Sequence, residues 1–252
     1  MIRVAVCGAC GKMGTEVVKA VVADSEMELV AKIDLLCTGE NLYKTIDDAV
    51  KAVDIDVLVD FTQPASIFDN AKKCLNLGIR PVIGTTGLTN DQIAELEKLS
   101  HKKGVSCLIA PNFTTGAVLM MMFAKQAAKF FDNAEIIELH HNQKKDAPSG
   151  TAIKTAQLMG INSDKSFATG NCEEVEIVKG TRGGISYNDI HIHSVRMPGY
   201  IASQEVIFGA AGQILKIRHD SMDRTCYMKG VLMAIKHVIN SVDFVYGLEN
   251  IL

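Results

Sequence analysis

The amino-acid sequence predicts an α/β chain: a Rossmann-like, doubly wound parallel sheet followed by an α+β domain with an open mixed or antiparallel sheet. Three observations carry this expectation. Strand-like and helix-like segments alternate over the first 111 residues. A glycine-rich turn, Gly8 to Gly14, joins the first strand-like run to the first helical one. After Asn112 the pattern changes to a long Met-rich helix and then to alternating, strand-like segments.

Taken in order, Ile2–Cys7 is a β-branched run, and residues 12–23 place Val17, Val18, Val21 and Val22 at helical spacing. Leu29–Ile33 and Ile55–Phe61 are apolar strands, the second of the continuous kind that a sheet covered on both faces requires. Residues 66–77 are helical up to Gly78, and 91–103 form a helix between strands at 81–84 and 105–110. Strands that alternate with crossover helices imply βαβ units and a parallel sheet. In the second part, 116–131 is a helix, 135–141 a strand, and another helix begins near Thr151. Several antiparallel strands are expected between Val175 and Arg218, where His191 and His193 alternate with Ile190 and Ile192. Residues 222–240 close the chain as a helix. The expected domains are 1–111 and 112–220, with the segment 221–252 packing back on the first.

Composition narrows the function classes. With 26 basic and 29 acidic residues the net charge is −3, which does not suggest nucleic acid or a membrane surface as partner. No apolar run reaches the roughly 18 residues that a membrane span needs. The opening Met1–Val6 leads straight into a strand rather than a charged and then apolar leader, so a cytoplasmic protein is expected. Seven cysteines, odd in number and scattered, suit reduced thiols better than a disulfide framework.

Gly8-Ala9-Cys10-Gly11-Lys12-Met13-Gly14 has the spacing GxxGxxG between a strand and a helix. Glycines there allow backbone to approach a pyrophosphate, and the helix start offers N–H groups to it. Asp34 ends the next strand twenty residues after Gly14, where a carboxylate can accept hydrogen bonds from an adenosine ribose. A plain tight βα turn is the alternative. Leu35 and Leu36 supply no arginine for a 2′-phosphate, which favours NADH, although Lys12 is within reach of such a phosphate and keeps NADPH open. Cys7 and Cys10 also have CxxC spacing, but Cys7 belongs to the strand, so redox catalysis is the weaker reading.

The richest stretch is Glu138-Leu139-His140-His141-Asn142-Gln143-Lys144-Lys145-Asp146-Ala147-Pro148-Ser149-Gly150-Thr151-Ala152. It leaves a strand and enters a helix. Histidine moves protons near neutral pH, lysine neutralises anions, and a helix start binds them. Together they suit a small acidic substrate that must be held and protonated. A solvated polar loop before a capped helix is an equal reading from residue types alone. Convergence of His140, His141, His191, His193 and His219 on a metal is disfavoured, because adjacent histidines on a strand face opposite ways.

The segment His140-His141-x-x-Lys144-x-Asp146-Ala147-Pro148-Ser149-Gly150-Thr151-Ala152 resembles the signature of dihydrodipicolinate reductases. So do the Gly8–Gly14 loop, Asp60-Phe61-Thr62-x-Pro64, Val82-Ile83-Gly84-Thr85-Thr86-Gly87, the hinge-like Ala110-Pro111-Asn112-Phe113, Arg196-x-Pro198-Gly199 and the segment His219–Arg224. The resemblance spans nearly the whole chain. It departs at Ser203-Gln204-Glu205, where the family often shows a histidine.

The resemblance implies reduction of a cyclic, unsaturated dicarboxylate by hydride from NADH or NADPH, in lysine and diaminopimelate biosynthesis, by a homotetramer. It implies that His140 is the acid that protonates substrate carbon and that Lys144 donates a proton and holds substrate charge. His141, Gly150 and Thr151 would contact substrate carboxylates. Gly8, Ala9, Cys10, Gly11, Lys12, Met13 and Asp34 would hold the dinucleotide, with Gly84, Thr85, Thr86, Ala110, Pro111, Asn112 and Phe113 towards its nicotinamide. No metal is implied. Two other readings share the first domain: an aspartate-type amino-acid dehydrogenase, which would turn over L-aspartate with NAD, and a sensor module, which would bind NADH without consuming it.

Overall fold

The structure, a computed structural model, describes residues 1–163, 166–167, 172 and 174–252. Its elements run β1 (Ile2–Cys7), α1 (Lys12–Ala23), β2 (Met27–Ile33), β3 (Leu42–Tyr43), α2 (Ile46–Ala52), β4 (Val57–Asp60), α3 (Ile67–Leu77), β5 (Arg80–Ile83), α4 (Asn90–Lys103) and β6 (Cys107–Ile109). They continue with α5 (Thr115–Ala127), β7 (Asn133–His140), α6 (Gly150–Ile161), β8 (Gly184–Ile185), β9 (His191–Arg196), β10 (Ala202–Ala210), β11 (Gln213–Ser221), α7 (Met228–Ile239) and β12 (Phe244–Tyr246). Two compact units result: Met1–Thr115 with Arg224–Leu252, and Gly116–Asp223.

The first unit is built on a seven-stranded sheet of order β12-β6-β5-β4-β1-β2-β3, parallel throughout. The strand order reverses between β1 and β4, which opens a crevice at the carboxyl ends of these strands. Both faces are covered. Ala5, Ala31, Leu58 and Cys74 pack with Ile46 and Ala49 of α2 in one apolar cluster, and Ile67, Leu75, Ile83, Leu96 and Cys107 form another. That is why these strands are uniformly apolar rather than alternating. Local signals support the helices. Thr89 and Gln92 form a reciprocal cap at the start of α4, and His101, Lys102 and Lys103 sit in its last turn, where cations oppose the helix dipole.

Three elements of this unit escape sequence periodicity. β3 and β12 have two and three residues, and α2 has seven, all shorter than the window in which a period can be read. β12 pairs with β6 and α7 lies against β4, β5, β6 and α1, so residues 224–252 complete the first sheet.

The second unit carries a five-stranded sheet of order β11-β10-β7-β9-β8. The expected antiparallel strands pair as β8 with β9 and β10 with β11, but among the described residues they begin at Gly184 rather than near Val175. β9 also runs parallel to β7, which makes the sheet mixed. The connection from β7 to β9 is long and contains α6, which makes a parallel return possible. Ala134, Ile136, Ile192, Val206 and Phe208 of the sheet pack on Ala124 of α5 and on Ala152, Ala156 and Met159 of α6. Cross-strand register sets two lines of residues on this sheet. Ser194, Glu138, Gln204 and His219 form one line, and His193, Ile137, Glu205 and Arg218 form the next. Among the described residues, no helix is long and apolar enough to cross a membrane.

The expectation of free thiols throughout is overturned by a disulfide between Cys10 and Cys37. Spacing hides it, because the two are 27 residues apart. β1 and β2 are parallel neighbours, with Cys7 opposite Ile33, so the turn after one and the segment after the other leave the same sheet edge. Their Cα atoms then lie 6.6 Å apart, within the range a disulfide spans. Cys7, the other half of the CxxC spacing, is buried in the strand, and burial raises its thiol pKa. Peptide mapping of unreduced protein should recover a linked Cys10–Cys37 fragment, and five thiols should react on unfolding, rising to seven after reduction. Seven reactive thiols before reduction would refute the link.

Candidate active site

In the first unit the expected dinucleotide residues lie at the carboxyl ends of β1, β2 and β5 and at the segment after β6. Gly8 has φ +78°, and a Cβ there would lie 2.6 Å from the Phe61 carbonyl oxygen. A Cβ at Gly14 would lie 2.0 Å from the Gly8 carbonyl oxygen, so α1 can close onto the loop only with glycine. Gly11 caps α1 without a side-chain acceptor, and the first turn contains no acidic residue. Its N–H groups, with the exposed Lys12, can therefore receive an anion. Ala9 is buried under the loop, and Cys10, in the disulfide, is exposed.

Asp34 is locked in place. Its Oδ2 accepts the Cys10 N–H at 2.9 Å and its Oδ1 the Leu36 N–H at 2.8 Å, which leaves a further lone pair on each oxygen for hydroxyl donors. Lys44, which sequence reasoning passed over, donates from Nζ to the Leu35 and Cys37 carbonyls at 3.0 and 2.7 Å and braces the segment beyond Asp34.

The remaining first-unit residues meet at Phe61. Its N–H donates to the Cys7 carbonyl at 3.0 Å, and its ring lies 6.0 Å from that of the buried Phe113. Beneath it lies the buried Asp60, missed as a functional group. Asp60 accepts hydrogen bonds from Thr62, Asn70 and Thr85, so Thr85 spends its hydroxyl on the frame. Gly84 donates its N–H to the Asp60 carbonyl at 2.9 Å, and Ala110 to that of Ile83 at 3.0 Å. Thr86 and Pro111 are exposed, and Asn112 caps Thr114 through Oδ1 at 2.8 Å.

In the second unit His140 ends β7. Its Nδ1 lies 2.5 Å from Oε2 of the fully buried Glu138. The same carboxylate accepts two hydrogen bonds from Arg196, at 2.8 and 2.7 Å, and one from the Ser149 N–H at 3.2 Å. Burial works to raise the Glu138 pKa, but hydrogen bonds from His140, Arg196 and Ser194 outweigh it and hold the carboxyl at about 2. Arg196 also reaches the Asp146 carbonyl at 2.7 Å, and the Asp146 carboxylate holds Lys144 Nζ at 2.7 and 2.8 Å. His141 is exposed, and its Nδ1 accepts the Gln143 N–H at 3.2 Å.

Ser149 caps α6 by accepting the Ala152 N–H at 3.2 Å. Gly150 and Thr151 form the first turn beside it, exposed and half-buried respectively. That turn is anchored from below. Gln204, the residue that departs from the family pattern, donates to Thr155 Oγ1 at 2.8 Å, and Thr155 donates to the Thr151 carbonyl at 2.7 Å. An imidazole on a buried carboxylate, a lysine and an anchored helix start can together hold a small anion and deliver a proton to it.

The histidines weighed as metal ligands take separate partners. His191 Nδ1 meets the Arg182 carbonyl at 2.6 Å, His193 Nε2 meets Glu135 at 2.7 Å, and His219 packs on Gly116, with burial lowering its pKa. Glu138 and Arg196 are the functional groups that sequence reasoning left without a role. The available signal was phase, since Ala134, Ile136 and Glu138 share one strand face and only the last is charged.

The chain resembles known proteins over its whole length. Residues 2–113 match the family model "Dihydrodipicolinate reductase, N-terminus", and residues 116–252 match "Dihydrodipicolinate reductase, C-terminus". A 4-hydroxy-tetrahydrodipicolinate reductase of Syntrophomonas wolfei is 51% identical over 99% of this chain and 98% of that one. Its counterpart in Lysinibacillus sphaericus is 47% identical over 100% and 99%. The dipicolinate-bound dihydrodipicolinate reductase of Paenisporosarcina sp. TG-14 superposes with a TM-score of 0.93 at 44% identity, each chain covered in full. A probable dehydrogenase from Thermotoga maritima, 12% identical with a TM-score of 0.67 over 99% and 92% of the chains, shares the fold. Matched across both of its units, the chain belongs to the dihydrodipicolinate reductase family.

Proposed function

We infer that this chain reduces 4-hydroxy-tetrahydrodipicolinate at the expense of a nicotinamide cofactor, a step of lysine and diaminopimelate biosynthesis. The observation that carries the reading is that one buried carboxylate, Glu138, holds His140 and the start of α6 directly, and through Arg196 the Asp146 carbonyl of the loop that carries Lys144.

The residues present suit a dinucleotide. The glycine cradle admits a pyrophosphate that any Cβ at Gly8 or Gly14 would exclude, and the start of α1 supplies N–H donors to it. Asp34 accepts the adenosine ribose hydroxyls. Gly84, Thr85, Thr86 and Ala110 to Phe113 form the wall on the nicotinamide side. We favour NADH, because Asp34 is an anionic acceptor flanked by Leu35 and Leu36 and would repel a 2′-phosphate. Lys12 and Lys44 are the cations through which NADPH would be accepted. When bound, the reduced cofactor supplies hydride.

The chain's own residues hold the dicarboxylate and move a proton. Gly150 and Thr151 offer backbone N–H groups to one carboxylate, with His141 beside them. Lys144, held by Asp146 in the free protein, neutralises substrate charge and can donate a proton. Once the 4-hydroxyl has left as water and the ring carries the resulting double bond, His140 delivers its Nε2 proton to the carbon adjacent to the one that receives hydride. The same reading places the enzyme in the cytoplasm as a homotetramer built through the five-stranded sheet. Its edge strand β11 exposes Ile214 and Leu215, and light scattering of the purified protein tests the assembly.

Three variants test the assignments in a nicotinamide absorbance assay with freshly generated substrate. His140→Gln should lower kcat by about 10²-fold with a smaller change in KM; wild-type kcat would remove His140 from the reaction. Lys144→Ala should lose about 10²-fold in rate and also bind dipicolinate more weakly, and undiminished turnover would count against it. Asp34→Ala should raise the KM for NADH by roughly tenfold, the loss of a charged hydrogen-bond acceptor, with kcat nearly unchanged. An unaltered KM would show that the ribose is held elsewhere.

A further inference from the structure

We propose that Glu138, clamped by Arg196, is a positioning residue that holds His140 by Nδ1 and thereby assigns the transferable proton to Nε2. The proposal rests on the reading of His140 as the acid and extends it to two residues whose task is to aim that acid.

The geometry is specific. Glu138 lies in the core-facing phase of β7, behind Ala134 and Ile136, and has no exposed surface. A charge there is costly unless it is paired, and stability alone is served as well by an apolar side chain. Both oxygens of the carboxylate are held by donors. Oε1 accepts from Arg196 Nη2 and the Ser149 N–H, and Oε2 accepts from Arg196 Nη1 and meets His140 Nδ1. Two guanidinium bonds in one plane fix the rotation of the carboxylate, and the carboxylate in turn fixes the imidazole.

An ionised carboxylate only accepts, so Nδ1 must carry a hydrogen in either charge state of the ring. In the imidazolium the second proton sits on Nε2, the nitrogen turned away from Glu138. When Nε2 gives up that proton, the ring is left as the neutral Nδ1–H tautomer, still bonded to Glu138. No rotation or tautomer exchange is needed between proton loss and reprotonation. Arg196 extends the frame, since it lies opposite His140 in the β7–β9 register and holds the Asp146 carbonyl of the loop that carries Lys144. One buried pair therefore sets the mutual position of the imidazole, the lysine loop and the start of α6.

Nitrogen-15 NMR of the imidazoles in the wild-type protein, with His140→Gln to assign the signal, tests the claim without turnover. The neutral ring of His140 should show the Nδ1–H pattern. An Nε2–H pattern in the wild type would overturn the proposal. In Glu138→Gln the charge is lost and the acceptor is replaced by an amide, so the ring should shift to a mixture or to Nε2–H. kcat should fall about 10²-fold while the KM for NADH stays within about twofold. Glu138→Asp, which retains the charge, should recover part of kcat and of the Nδ1–H signal. Undiminished kcat in Glu138→Gln together with a damaged His140→Gln enzyme would sink the positioning role and leave the reaction assignment standing. Full activity in His140→Gln would sink the acid assignment, with the tautomer spectrum still deciding what Glu138 holds. If Glu138→Gln does not fold, the wild-type spectrum and the aspartate variant carry the test.

Discussion

A carboxylate shut away from water has to be neutralised by whatever the chain can bring to it, and Glu138 imposes that requirement on the whole second unit. Its partners come from three places: the guanidinium of Arg196 and the Ser194 side chain from β9, the imidazole from two residues along β7, and a backbone N–H from the residue that caps α6. Loss of one partner of such a pair costs about 3–5 kcal/mol, so the group acts as one piece. The polar loop of residues 141–149 is thereby tied down at its end by Ser149 and near its middle by the Asp146 carbonyl.

The first unit meets the same demand with a different carboxylate. Asp60 ends a fully buried strand, and its side chain collects the hydroxyls of Thr62 and Thr85 and the amide of Asn70. It thereby joins the ends of β4 and β5 to α3. Phe61, the next residue, turns back against the Gly8 loop and the Phe113 ring. The backbone that would meet a dinucleotide is therefore held by buried polar bonds on one side and by glycine contacts on the other. Exposed loops in α/β folds owe their accuracy to this kind of support from the strand ends.

Much of this was legible from residue order. The Gly8–Gly14 turn, Asp34 at a strand end and the histidine–lysine–serine segment were readable because each is local: a few residues that leave one element and enter the next. Long periodic elements were readable for the same reason. What escaped was short or distant. β3, α2 and β12 are too brief to show a period, and the parallel pairing of β9 with β7 depends on a connection whose path residue types do not specify. The Cys10–Cys37 link joins residues 27 apart, and the expectation of free thiols gave way to it.

By itself the sequence determined the doubly wound first sheet, a second sheet that is mixed or antiparallel, the glycine turn and the family, because periodicity, glycine spacing and a contiguous signature are properties of neighbours along the chain. Only the tertiary structure decided that Glu138 sits under His140 with Arg196 from 58 residues away, that Asp60 gathers Asn70 and Thr85, and that two cysteines meet. Those facts follow from strand register and burial. Register places residues side by side across the sheet, and burial turns an unremarkable charged residue into one whose every lone pair must find a donor.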